Sequence, residues 1–297
     1  AGDVRQCLVA LSTSPKVRDL FNYRFGEGSM KGHAFGNLFM AALEKMTGSF
    51  ADAVELASEV LGVNGRVYPI TLDDTTMSIK LKDGTVVDGQ HAAESLKIPR
   101  GERPWLELKP PARQAILDAD LVVIAPGLLY GSLAPALLVR GVTRALAETK
   151  AKKVYVCNLV TKPTQTDGFT VADFADEIER FSGVNMDYVL YNNHRPPEEL
   201  IKKYAHDGEY LVEWDKELLK KKHYYASGKR LIADDVWVNT NSSSDPLAAQ
   251  RSLIRHDADR VARELMRINP VARIDASDYG IDVPCAIIKY AKELCIE

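Results

Sequence analysis

The chain has 297 residues, 46% of them hydrophobic and 27% charged, and its 38 lysines and arginines against 41 aspartates and glutamates leave a net charge of -3. A balance this close to neutral excludes the overall basic excess of a nucleic-acid binder or an anionic-membrane binder, so an anionic ligand has to be held by local groups. No run reaches the roughly 18 apolar residues of a membrane span, and the length suits one large α/β domain or two of about 150 residues.

The first 62 residues read as helices. Val4, Leu8 and Leu11 recur at helical spacing, then Val17, Leu20 and Phe21, then Leu38 to Met46, then Phe50 to Leu61, with Gly32, Gly48 and Gly62 between them. From Arg66 the period becomes two, which predicts strands at Val67 to Ile70, Ser78 to Leu81 and Thr85 to Val87, the last two joined by an Asp83-Gly84 hairpin turn. Trp105 to Leu108 reads as one more short strand.

The middle of the chain alternates apolar runs with helical patterns. Runs begin at Leu121, Lys153 and Asp187, and each leads through a polar loop into a helix, at Ser132 to Thr149, Val171 to Phe181 and Pro197 to Tyr204. This is the pattern of βαβ units and predicts a parallel sheet covered by helices on both faces. Further on, strands are expected at Glu209 to Trp214, Leu231 to Ala233 and Val236 to Val238, and Lys216 to Lys222 reads as a solvated basic helix face. A helix opened by Asp245-Pro246 is expected to carry Arg251, Arg255, Arg260, Arg263 and Arg267, with a last helix within Pro284 to Ile296.

Cys7, Cys157, Cys285 and Cys295 form no Cys-x-x-Cys pair and are too sparse for a disulfide scaffold, so reduced thiols in a cytoplasmic protein are expected. The six histidines lack metal-ligand spacing, and no phosphate-loop, dinucleotide-binding or nucleophile-elbow word is present. In a parallel α/β sheet, ligands lie beyond the carboxyl ends of the strands. That rule selects Pro126, Gly127 and Tyr130 after the first strand, Asn158 and Thr161 after the second, and Asn192 after the third. His33 and Asn37 are expected one turn apart on a helix face, as donors to a phosphate or hydroxyl. Asp3 falls at a helix N-terminus, where a carboxylate is favoured on electrostatic grounds alone.

The words around these positions resemble the YvcK branch of the CofD-like superfamily, the bacterial gluconeogenesis factors. They are Gly2-Asp3-Val4-Arg5, Gly32-His33-x-x-Gly36-Asn37, Pro126-Gly127-x-Leu129-Tyr130, Lys153 to Asn158, Lys203-Tyr204-Ala205 and Arg255-His256, in order along the chain. The resemblance implies a three-layer α/β/α Rossmann-like fold, here with a mostly parallel sheet and a β-hairpin insertion. It spans residues 1–268 as a single domain, with 269–297 an unmatched tail. It also implies a UDP-sugar ligand and a regulatory role in carbon metabolism and cell-wall synthesis. Tyr204 and Arg255 match positions that the branch uses for the UDP-sugar, while Asp3, Arg5 and Ser132 join the candidate ligand contacts through the words that contain them. The family's word order puts a first strand, a glycine-rich phosphate loop and a paired-aspartate segment ahead of Gly2, and these are expected upstream of Ala1.

Two loops depart from the family pattern. Pro-Gly-Ser-Leu-Tyr-Thr-Ser is here Pro126 to Ser132 with Leu128 and Gly131, and Thr-Gln-x-Gly-Glu-Thr is here Thr161-Lys162-Pro163-Thr164-Gln165-Thr166. The first reading is a UDP-sugar-binding regulator with no certain cofactor. The second is a transferase like 2-phospho-L-lactate transferase, which would use Mg²⁺. The third is a protein-interaction module without a small-molecule ligand, and self-association into a homo-oligomer is compatible with each.

Overall fold

The computed structural model of the protein describes residues 2–72, 78–80, 86–88, 109–234 and 254–268, with side chains for 4–72, 109–234 and 254–268. These divide into two compact units, the first drawn from Ala1–Leu72 and Ala233–Glu297 and the second from Asp73–Ile232.

The first unit opens with four helices, α1 (Gly2–Leu11), α2 (Pro15–Asn22), α3 (Phe35–Thr47) and α4 (Phe50–Leu61). Their ends are written locally. Ser14 caps α2 by accepting the Val17 N–H, with Pro15 in its first turn, and Ser49 caps α4 by accepting the Asp52 N–H. Gly48 and Gly62 end α3 and α4 in the left-handed conformation. The apolar faces meet in one cluster that includes Leu8, Phe21, Met40, Leu43, Val54 and Leu61. The Phe21 ring stands edge-on to Phe39, with centroids 5.0 Å apart.

Gly36 makes this packing possible. A Cβ there would lie 2.7 Å from Arg5 Cδ and 2.8 Å from the Phe21 carbonyl oxygen. The Arg5 side chain occupies that space, only 5% exposed, and donates from one Nη1 to Asn22 Oδ1 at 2.6 Å.

In the second unit, β1 (Ser78–Lys80) and β2 (Val86–Asp88) pair antiparallel, Ser78 opposite Asp88. Helix α5 (Pro110–Asp118) precedes β3 (Leu121–Ile124), which runs through a π-helical turn at Leu129–Leu133 into α6 (Ala134–Leu138) and α7 (Val142–Glu148). The chain continues as β4 (Lys152–Val156), α8 (Val171–Ser182), β5 (Tyr188–Asn192), α9 (Glu198–His206), α10 (Lys216–Leu219) and β6 (Tyr225–Lys229). The four strands β3 to β6 form an all-parallel sheet in chain order. Helices α5 to α8 pack on one another, α5 on α7, α7 on α6 and α8, and α6 on α8. Helix α8 is fixed at its start by a Thr170–Asp173 capping box and buries Phe174, Ile178 and Phe181. In the first unit again, α11 (Ala258–Ile268) buries Ala258, Val261 and Ala262.

Several expectations change. Val67 to Ile70 is not a strand, and among the described residues its alternation finds no ladder partner. Glu209 to Trp214 makes only two isolated bridges, Leu211 with Val160 and Glu213 with Thr170, because it lies along the β4–α8 connection instead of entering the sheet. The helical pattern of Ser132 to Thr149 breaks at Val139 to Gly141, where Gly141 takes φ 103°. Leu231 to Ala233 forms no strand, although Leu231 is fully buried. Arg255 is not on a helix: α11 starts three residues later, and the Arg255 carbonyl instead accepts the Ala233 N–H at 2.9 Å. The readings at Asp83-Gly84, Trp105 to Leu108, Val236 to Val238, Asp245-Pro246, Arg251 and 269–297 lie outside the described residues.

Candidate functional site

The carboxyl ends of the sheet strands are tied together by side chains. Asn158, two residues past β4, donates from Nδ2 to the Gly127 carbonyl beyond β3 at 2.8 Å, and its Oδ1 accepts the Tyr155 hydroxyl at 3.0 Å. Asn192, the last residue of β5, accepts the Leu231 N–H at 3.0 Å through Oδ1 and donates from Nδ2 to the His194 carbonyl at 2.6 Å. The two asparagines thus hold the turns after β3, β5 and β6 in register. Between them lies a shallow recess whose enclosed space is only about 10 Å³, room for about one water molecule. It is lined by Asn158, Tyr191, Asn192, His194, Arg195 and Trp214, among others.

The recess has an aromatic wall and a charged rim. The Tyr191 and Trp214 rings pack on each other with centroids 6.0 Å apart and planes tilted 45°. Tyr191 lies so close over β6 that a Cβ on Gly228 would come within 2.6 Å of its hydroxyl, and a side chain there would have to displace the ring. Burial raises the Tyr191 phenol above its ordinary value, which keeps it protonated. Arg195 and Glu213 pair at 2.6 Å with both side chains more than half exposed. Behind Asn158, Tyr155 is fully buried and its phenol is pushed well up by burial, so it stays a donor. The neighbouring Cys157 thiol is pushed up to about 12 by burial, which makes it inert as a nucleophile.

The other strand-end candidates turn elsewhere. Tyr130 donates to Glu177 Oε2 on α8 at 3.1 Å and packs edge-on to Phe181, and the Ser132 N–H is spent on the Leu128 carbonyl within the π-helical turn. Pro126 lies half-buried ahead of Gly127. Thr161 is 2% exposed, and its Oγ1 accepts the Tyr210 N–H at 3.1 Å. In the same loop Thr164 is the one non-glycine residue at positive φ among the described residues, 67°, at the place where the family word has glycine. Tyr204 sits on α9, 8% exposed.

In the first unit, Asp3 lies in α1 with its side chain outside the described residues, and Arg5 is directed inward as above. His33 is exposed and precedes α3, whose N-cap is Ala34, so it does not share a helix face with Asn37. The Asn37 Oδ1 is buried and has no hydrogen-bond partner among the described residues. Arg255 is half-exposed. Sequence reasoning missed His194, Arg195, Glu213 and Trp214 as recess residues. Position after β5 was a usable signal for His194 and Arg195, whereas Glu213 and Trp214 arrive only because 211–214 folds back on the β4–α8 connection.

A family model described as 2-phospho-L-lactate transferase CofD matches residues 1–267. The chain belongs to the CofD family. Within it, the chain is similar to proteins named as gluconeogenesis factors. It is 39% identical over 274 residues to a Thermoanaerobacterium thermosulfurigenes protein bearing the name "Putative gluconeogenesis factor", covering 89% of this chain and 80% of that one. It is 34% identical over 272 residues to the Bacillus subtilis "Gluconeogenesis factor", covering 89% and 81%. A crystal structure at 2.60 Å resolution of a upf0052-family protein from Bacillus halodurans superposes with a TM-score of 0.77 at 31% identity, over 89% of this chain and 82% of that one. Among the described residues of this CofD-family chain, no helix is long and apolar enough to cross a membrane.

Proposed function

We propose that this CofD-family protein binds a UDP-sugar and acts as a regulator of carbon metabolism and cell-wall synthesis. The observation that carries the reading is the recess at the carboxyl ends of β4 and β5, framed by Asn158 and Asn192. Ligands of parallel α/β sheets collect there. The names of the similar proteins, gluconeogenesis factors, support the link to carbon metabolism. On this reading the fold is the three-layer α/β/α Rossmann-like one, the β1–β2 ribbon is an insertion, and residues 1–268 act as one cytoplasmic domain. Tyr204 and Arg255 contact the ligand, and the protein self-associates.

The description of the family model favours a second reading, a transferase of phosphorus-containing groups that uses Mg²⁺. Among the described residues no group of three or more His, Cys, Asp or Glu side chains is placed to hold a metal ion, while Mg²⁺ in such enzymes is held by one or two carboxylates together with the phosphates of the substrate. Calorimetric titration with UDP-glucose and UDP-N-acetylglucosamine separates the two readings. Binding of either is expected, with Arg255→Ala weakening it by about 1.5–3 kcal/mol through loss of a charge-assisted bond. Absence of binding, together with turnover of a guanylated lactyl donor and a deazaflavin acceptor, would overturn the regulatory reading.

A further inference from the structure

We infer that Asn64 is a site of self-modification, where the side-chain amide closes on the Gly65 nitrogen and is converted by water to aspartate or isoaspartate. The inference is independent of any ligand and rests on which asparagines the fold leaves able to react.

The chemistry sets two requirements. The backbone nitrogen of the next residue must be able to lose its proton and turn toward the side-chain carbonyl carbon, and the side-chain amide must be unhindered. A following glycine meets the steric part, having no Cβ to crowd the ring that forms. Asn64-Gly65 is the one Asn-Gly pair in the chain. Both residues are exposed, just past the end of α4, and Gly65 takes φ 125°, where a side chain is disfavoured. Among the described residues the Gly65 N–H donates to no group, and the Asn64 side chain makes no hydrogen bond.

The other described asparagines each fail a requirement. The N–H groups that follow Asn22 and Asn37 are held by the Leu20 and Ala34 carbonyls. Those that follow Asn185, Asn192 and Asn193 are held by Glu179 Oε1, the Lys229 carbonyl and Asn192 Oδ1. An N–H aimed at an acceptor is fixed away from the side chain before it. Asn158 precedes a leucine, and both ends of its amide are bonded, to Tyr155 and to Gly127.

The reaction needs only water. The Gly65 nitrogen gives its proton to a solvent base and forms a bond to Asn64 Cγ. The Cγ–Nδ2 bond breaks, and ammonia leaves with a proton returned from solvent. The product is a five-membered succinimide. Water then adds to one of its two carbonyl carbons, and the bond from that carbon to nitrogen opens. Opening at Cγ gives aspartate, and opening at the backbone carbonyl carbon gives isoaspartate. Ammonia is lost, water is gained, and nothing is oxidised or reduced.

The neighbouring contacts localise the consequence. The Asn64 N–H donates to the Leu11 carbonyl at 2.8 Å, and Val63 bridges to Ser12, so the chain ahead of the reacting bond is pinned to the end of α1. Isoaspartate lengthens the backbone just after that pinned point. It redirects the segment in which Arg66 donates to the Tyr68 hydroxyl at 3.2 Å. Either product adds one negative charge to the formal -3 of the chain.

The test keeps the full-length folded protein in warm buffer at mildly acidic and mildly alkaline pH. It follows the intact mass, the tryptic peptides, and labelling by a carboxyl methyltransferase specific for isoaspartate. A gain of about one mass unit is expected in the peptide that carries Asn64-Gly65, with methyl labelling there, and faster at alkaline pH. Asn64→Gln must close a larger ring and should lose both signals while keeping the wild-type melting temperature. Conversion at Asn64 only after unfolding in urea would show that the fold protects it and would overturn the inference. Conversion of the folded protein at Asn158 or Asn192 as fast as at Asn64 would overturn it too.

Discussion

Arg5 and Asn158 are polar side chains from short words that this chain shares with its family, and the two units use them in opposite ways. Arg5 is turned into the helical unit, 5% exposed, where it fills the gap left by Gly36 and bonds to Asn22. Asn158 stands at the end of a sheet strand, anchored from behind by Tyr155 and Gly127, and lines the recess. A matching word therefore does not say what its side chain does. The reason comes from whether the side chain closes a core or stands at a strand end.

The sharpest way to break this contrast is at Gly36. Gly36→Val puts carbon atoms where Arg5 Cδ and the Phe21 carbonyl already lie, and overpacking of that kind should cost about 3 kcal/mol in urea unfolding. A variant as stable as the wild type would show that Arg5 and Phe21 move aside and that their packing does not require glycine at this position.

The second prediction concerns what stands behind Asn158. The Cys157 thiol rises from its ordinary 9.0 to about 12 on folding because it is buried. Below pH 9 both folded and unfolded chains hold the proton. Between pH 9 and 12 the unfolded chain releases it and the folded one retains it, so stability present below pH 9 is lost as pH rises, by about 1.4 kcal/mol per pH unit. Urea unfolding at pH 8.5 and 10.5 should show Cys157→Ala losing less than the wild type by that slope, while identical slopes would mean a solvated thiol.

The smallest effect is expected at Thr164. A β-branched residue at φ 67° is strained, and glycine is not. Thr164→Gly should raise stability by about 0.5–1 kcal/mol, after the added flexibility of the unfolded chain is subtracted. A loss of stability would show that the threonine side chain makes a contact worth more than the strain.

Much of the architecture was legible because its causes are local. The helices α1 to α4 follow from apolar spacing and from Ser14, Ser49, Gly48 and Gly62 at their ends. Strands β3 to β5 follow from apolar runs that a sheet buries, such as Val154 to Cys157. Strand β6 was not legible, since Tyr225 to Lys229 contains a glycine and has no apolar run; it is a strand because β5 offers it a ladder from Tyr188 to Asn192. Glu209 to Trp214 failed in the other direction, its alternation real but its partner a connecting loop.

At the candidate site the sequence picked Asn158 and Asn192 by their place after apolar runs, and both line the recess. It also picked Tyr130 and Thr161 by the same rule, and their side chains are committed to α8 and to Tyr210. Sequence alone determined the family, the alternation of strand and helix, and the strand-end positions where polar residues gather. Each of these is a matter of residue type and spacing along one chain. Only the tertiary structure decided that Arg5 is a packing group and that Trp214 and Glu213 meet Asn158 across 55 to 56 positions of sequence. Side-chain direction at a turn, and the meeting of distant segments, depend on which surfaces pack together, and that information is spread over the whole unit instead of any local word.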